Sequence, residues 1–229
     1  MIPVYFMRTE GVRDDEYNTV WRAAKDILRI SGASRIVKNF GVWREKDWKE
    51  DGKLKPWRSI DWYVEECMMH GKDEGHGDQV NASKLLDMLY REPWKRKEDH
   101  YDFFVVDKDL ARGPEDAWVV GGRITNSTVI SVSRWRRIKP YSFRMEVLKT
   151  QAYHEGGHVF GAATRARDDT IELLGSHCTE YGCSMKQGMS IREWKKNTEE
   201  RIDAGQPYCG KCTDEIKEYG RKIRGRKVI

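Results

Sequence analysis

The chain has 229 residues, 38% hydrophobic and 34% charged, and its 42 Lys and Arg against 37 Asp and Glu give a formal charge of +5. Nine Trp, ten Tyr and six Phe supply enough bulky apolar surface to exclude a wholly disordered chain. No apolar run approaches the ~18–20 residues that span a bilayer, and the mixed charges point to a solvated surface rather than a nucleic-acid-binding face.

The opening stretch, MIPVYFMRTEGVRDDEY, lacks a basic region, a long apolar core and a small-residue cleavage site. No secretory signal is expected, and the expected compartment is the cytoplasm. Ile2 to Met7 reads as a buried strand. Tyr17, Val20, Trp21, Ala24, Ile27 and Leu28 then recur at helical spacing, with Asp14 or Asp15 as cap and Gly32 as stop. Residues 36–43 and 59–66 read as strands, the second because Ile60, Trp62 and Val64 alternate with Ser59, Asp61, Tyr63 and Glu65. Asp51-Gly52 reads as the hairpin turn between them, and Trp43, Trp48, Trp57 and Trp62 as aromatic cross-strand pairs. Residues 71–80 read as a loop. Ala82, Leu85, Leu86 and Leu89 predict a short helix stopped by Pro93.

Tyr101 to Asp107, Trp118 to Val120 and Thr128 to Arg134 read as strands, and a helix is expected from about Phe143 to Gly161. Ser190 with Glu193 forms a capping box that opens another helix. The basic tail, Arg221 to Lys227, reads as a frayed, solvated end. Mixed strands and helices followed by helices and loops predict an α+β fold.

His154-Glu155-Gly156-Gly157-His158 is an HExxH string. On a helix, residues four apart lie on one face one turn apart, so two imidazoles can grip one zinc ion. Glu155 then points to the side where a zinc-activated water would sit, and its carboxylate can take that water's proton. An ordinary packed helix with two hydrogen-bonded histidines is the competing reading. Two features count against it: Gly156 and Gly157 each cost a helix ~1 kcal/mol relative to Ala, and two His and a Glu within one turn are costly to bury unpaired.

Of the five cysteines, Cys178, Cys183, Cys209 and Cys212 fall in the last quarter of the chain. An odd count without a secretion signal argues for reduced thiols. Four thiols in a CxxxxC…CxxC arrangement suit tetrahedral zinc, with disulfides or free thiols as the alternative. Such a closed site serves folding. His177 and Cys178 are neighbours, yet successive side chains of an extended segment point to opposite sides, so each can face a different ion. Cys67, His70, His76 and His100 are not taken as ligands.

Three residues after His158 comes Gly161, and HExxHxxG opens the metzincin motif, in which the glycine permits a sharp turn out of the helix. His177-Cys178, four residues, Cys183-Ser184-Met185 and then Cys209-Gly210-Lys211-Cys212 follow. Over residues 148–212 this resembles the archaemetzincin metalloproteases. Every element of their signature is present in order, except that 15 residues, Ala162 to Ser176, stand where two are usual and Thr164 occupies the usual place of the third histidine.

The resemblance implies a compact single domain over 1–229, with an upper sheet part about 1–160 and a lower part about 161–229. It implies two zinc ions: a catalytic one on His154, His158 and His177, and a structural one on Cys178, Cys183, Cys209 and Cys212. By the same resemblance Glu155 is the general base and Met185 the Met-turn residue beneath the zinc. Asp168, Asp169, Glu172 and His177 are all candidates for the third ligand. His177 is favoured because Cys178 would tether it beside the second metal, and loop closure costs only ~0.6 kcal/mol per doubling of length. Tyr181 is near the site in sequence and is given no role.

The function expected is a zinc metallopeptidase, endopeptidase or aminopeptidase-like, acting on a peptide or protein, with no membrane partner and no nucleic acid expected. Two competing readings stand beside it. One is a zinc-binding module that contacts protein or nucleic acid with little or no proteolysis. The other is a protease-derived scaffold whose 162–176 segment blocks the cleft.

Overall fold

The computed structural model describes residues 3–32, 37–42, 58–69, 78–91, 100–112, 118–124, 126–164 and 167–225. Its elements in chain order begin with β1 (Val4–Arg8), α1 (Asp14–Ile30), β2 (Val37–Val42), α2 (Ile60–Glu66), β3 (Met68–Met69), β4 (Gln79–Asn81) and α3 (Ala82–Arg91). There follow β5 (Tyr101–Val106), β6 (Leu110–Ala111), β7 (Trp118–Val119), β8 (Gly121–Ile124), β9 (Ser127–Ser131) and a 3₁₀ turn (Arg134–Arg137). The last elements are α4 (Tyr141–Val159), β10 (Thr170–Glu172), β11 (Ser176–Cys178), α5 (Ile191–Ala204) and α6 (Gly210–Gly225). No helix among the described residues is long and apolar enough to cross a membrane. The chain divides into two compact units, one comprising Ile2–Tyr17 and Arg35–Arg137, the other Asn18–Ser34 and Ile138–Ile229.

The first unit is built on a five-stranded sheet in the order β2-β1-β5-β9-β8. The first four strands run parallel, and β8 closes the edge antiparallel to β9. Strand β5 is buried along its whole length, as expected of an inner parallel strand with both faces covered. Leu85, Leu86 and Leu89 of α3 join Met7, Phe104, Val106 and Val129 in one core. A smaller sheet, β3-β4-β6-β7, lies alongside in the same unit.

Residues 60–66 are helical, not extended as the alternation predicts. Ser59 caps the helix by accepting from the Trp62 N–H at 3.2 Å. The buried set is Ile60, Tyr63 and Val64, which is helical spacing, while Trp62 faces solvent. The segment satisfies both periods, and the cap decides between them. The expected hairpin of 36–43 with 59–66 does not exist either, because β2 pairs in parallel with β1. Asp51-Gly52, Trp43, Trp48, Trp57, His70, His76 and Pro93 lie outside the described residues. The expected loop at 71–80 gives way to strand from Gln79.

Cys67 and His100 belong to this unit's core. The Cys67 thiol contacts the Met88 sulfur at 3.4 Å, and burial pushes it up to about 11. His100 stacks on Tyr5 and lies 3.2 Å from Asp102, whose other oxygen accepts from the Ser127 hydroxyl. All three are fully buried, so the network serves the sheet's interior.

The second unit centres on α4, whose residues from Val147 to Val159 are almost all buried. The Tyr153 hydroxyl donates to Asp26 of α1 at 2.7 Å, and Arg201 of α5 reaches Thr150 and Glu146. Ser190 caps α5 as expected, but Glu193 reaches back one residue further, accepting from the Met189 N–H at 2.6 Å. The basic tail is not frayed where it is described: residues 221–225 form the last turns of α6.

Candidate metal centres

The HExxH string lies in the last turns of α4, so His154 and His158 share a face as helical geometry requires. The later part of the 15-residue excursion, with the two residues that follow it, forms a β-hairpin over 170–178. Strands β10 and β11 pair antiparallel, with Ile171 opposite His177 and Thr170 opposite Cys178. The hairpin returns His177 to the helix: His158 Nε2 lies 3.2 Å from His154 Nε2 and 3.2 Å from His177 Nε2. All three rings are buried.

The tautomers follow from the other ring nitrogens. His154 Nδ1 sits 2.9 Å from the Ser184 carbonyl and His177 Nδ1 sits 2.9 Å from the Gly175 carbonyl, so each Nδ1 carries the proton. The Nε2 lone pairs therefore face inward. Burial, and secondarily the His177 ring, push His154 down to about 3. It is neutral at ordinary pH, which is the form a metal takes.

The donor set fits zinc. Two nitrogens at ~2.0–2.1 Å from one tetrahedral ion lie ~3.3 Å apart, close to both observed separations. The His154 and His177 lone pairs both face His158 Nε2, so a cation among the three nitrogens would meet all of them.

Two glycines of the motif have specific causes. A Cβ at Gly157 would collide with the Met185 sulfur and press on the Tyr208 ring at 3.1 Å. Gly161 turns the chain with φ +78°, and a Cβ there would meet the Tyr219 ring at 3.0 Å. Met185 is fully buried against the helix turn that carries the histidines, and its carbonyl accepts from the Cys178 N–H at 3.0 Å. Glu155 is buried beside His154 in sequence.

The other candidates for third ligand stand elsewhere. Thr164 turns its hydroxyl back to the Gly161 carbonyl. Asp168 and Glu172 are exposed, and Asp169 pairs with Arg167 and Lys211. Tyr181 is exposed, with its hydroxyl donated to Asp203 at 2.9 Å.

Cys178, Cys183, Cys209 and Cys212 form a second cluster whose sulfurs all lie within 4.8 Å of one another. All are free thiols. The Cys178 and Cys209 sulfurs are 3.8 Å apart, the edge expected for ~2.3 Å Zn–S bonds on a tetrahedral ion. Cys212 lies in the first turn of α6, where helix N–H groups favour thiolates. Hydrogen bonds from neighbouring thiols pull Cys178 and Cys209 below the ordinary thiol value, while Cys183 and Cys212, hydrogen-bonded to Cys178, are pushed up. His177 and Cys178 are consecutive on β11 and point one into each cluster, as strand alternation predicts.

Several supporting groups carry no sequence signal: the Ser184 and Gly175 carbonyls, Trp194 packed edge-on to His154 at 5.2 Å, and the Tyr208 hydroxyl, which donates to the Tyr153 carbonyl at 2.6 Å. Each acts through the fold rather than through a motif.

No protein-family model matches the sequence, and no curated protein does. Two solved structures share the fold. One is the archaemetzincin from Methanopyrus kandleri, at 17% identity and TM-score 0.59, with 96% of each chain covered. The other is the archaemetzincin from Archaeoglobus fulgidus in complex with malonate, at 19% identity and TM-score 0.52, with 93% of this chain and 99% of that one covered. The chain therefore has the α+β fold of the archaemetzincins.

Proposed function

We propose that this chain is a zinc-dependent metallopeptidase, endopeptidase or aminopeptidase-like, that hydrolyses a peptide or protein. His154, His158 and His177 hold the catalytic zinc, and Cys178, Cys183, Cys209 and Cys212 hold a structural one. The observation that carries this reading is the convergence of three Nε2 atoms on a helix where Glu155 follows the first histidine.

When bound, zinc supplies a Lewis acid that polarises a carbonyl and lowers the pKa of water toward ~7. The chain's own groups do the rest. The Ser184 and Gly175 carbonyls hold two imidazoles in the tautomer that presents Nε2. Met185 fills the space under the helix turn. Glu155, as a carboxylate, takes the proton of the attacking water and can return it to the leaving amine.

The test is cleavage of a fluorogenic peptide library by wild type and by Glu155→Gln, with zinc content measured on both. The substitution keeps size and leaves the histidines alone. Zinc content should stay at the wild-type level while turnover falls ~10²-fold or more, and a chelator should abolish wild-type cleavage. Wild-type-like cleavage by Glu155→Gln would remove Glu155 from the mechanism.

A further inference from the structure

Arg167 stands at the foot of the hairpin that delivers His177, and its guanidinium reaches three partners. Nε lies 3.0 Å from Asp169 Oδ1, Nη1 lies 3.1 Å from Glu215 Oε1, and Nη2 donates to Cys212 Sγ at 3.4 Å. The side chain is only 15% exposed. Each partner leads to a different part of the site. Asp169 immediately precedes β10, and its carbonyl accepts from the Thr179 N–H at 2.8 Å, just past Cys178. Glu215 lies on α6 and accepts from the Ala163 N–H at 2.7 Å, where the chain leaves α4. Cys212 belongs to the thiol cluster. One guanidinium thus joins the exit of the histidine helix, the foot of the hairpin and the cysteine cluster.

We infer that Arg167 is a positioning residue that locks the 167–178 hairpin onto the cysteine cluster, so that metal binding at the histidine cluster depends on a side chain that touches none of the three histidines. The inference rests on the proposal that both clusters hold zinc. Two physical arguments support it. Four thiolates around one zinc leave a net charge of −2, and a guanidinium N–H on a sulfur offsets part of that charge. A planar guanidinium can also hydrogen-bond the Cys212 sulfur through one nitrogen while its other nitrogens lie beside the Asp169 and Glu215 carboxylates, which a compact ammonium cannot do at once. The long excursion between Gly161 and His177 needs such an anchor, because the motif's usual two-residue spacing would fix the third histidine by chain connectivity alone.

The experiment compares full-length wild type, Arg167→Gln, Arg167→Lys and Asp169→Asn. Affinity at each cluster is measured by competition with a chromophoric chelator. Cobalt substitution separates the clusters, since thiolate-to-cobalt charge transfer reports the cysteines alone and the ligand-field bands of a nitrogen–oxygen site lie at higher energy than those of a four-thiolate site. Arg167→Gln should weaken the histidine cluster ~10–100-fold, the usual range for loss of an outer-shell partner, and shift the charge-transfer band. Arg167→Lys should restore that band without restoring the histidine cluster. Asp169→Asn should weaken the histidine cluster and leave the band in place.

Wild-type affinity at the histidine cluster in Arg167→Gln overturns the inference. Full rescue of both clusters by Arg167→Lys also overturns it, because charge alone would then suffice. A wild type that binds no metal at the histidines sinks the functional proposal as well, and it does so before any substitution is made.

Discussion

The histidine and cysteine clusters meet at consecutive residues, His177 and Cys178, yet they are assembled differently. Two of the three histidines come from one turn of a rigid, buried helix, and the third is brought across by a hairpin. The four cysteines come from a strand, the turn after it and the start of α6, so no single element presets them. Three donors leave a fourth tetrahedral position for chemistry, whereas four donors leave none. On the proposed reading, the difference would separate a centre that the fold builds for a metal from a centre that a metal builds for the fold.

The largest expected effect comes from breaking the closed cluster. Cys209→Ser with Cys212→Ser removes two of four ligands, where structural zinc contributes an apparent ~10–16 kcal/mol in small zinc domains. The double variant should lose cooperative unfolding of residues 138–229, followed by circular dichroism, and with it metal at His177. A double variant that still melts like wild type would show that the cysteines hold no structural ion.

A smaller effect sharpens the other side. Gly157→Ala should recover ~1 kcal/mol of helix propensity. It also forces Met185 and Tyr208 aside, and overpacking of this kind costs ~1–3 kcal/mol. The expected outcome is a near-neutral or slightly lowered melting temperature, weaker metal binding at the histidines and an unchanged cysteine cluster. Unchanged metal binding at the histidines would remove Met185 from the support of that centre. The smallest effect is a control. Ser190→Ala deletes the cap of α5 at a cost of ~1 kcal/mol and should leave both metal contents alone.

What the sequence discloses differs between the two units in the same physical way. HExxH and the capping box are local patterns whose geometry follows from one helix each, and both helices are present, whereas the CxxxxC…CxxC spacing is legible only as a pattern of residue types, because its cysteines come from several elements. The alternation of His177 and Cys178 is equally local and places one in each cluster. The helix at 60–66 is hidden because Ile60 and Val64 fit both periods, with Trp62 completing the alternating set and Tyr63 the helical one, and the Ser59 cap decides between them. The role of Arg167 at the foot of the hairpin has no sequence signal, since its partners Cys212 and Glu215 lie on α6, some 45 residues on. Arg221 and Lys222 are solvated, as their charges suggest, but they continue α6 rather than fray from it.

The most direct test of the account is graded chelation of the wild-type protein, with metal content, peptide cleavage and circular dichroism read on the same samples. Two zinc ions are expected. The first should leave together with all cleavage while the fold stays intact, and the second should leave only as residues 138–229 unfold. A single ion, or cleavage that survives loss of the first and ends only on unfolding, would contradict it.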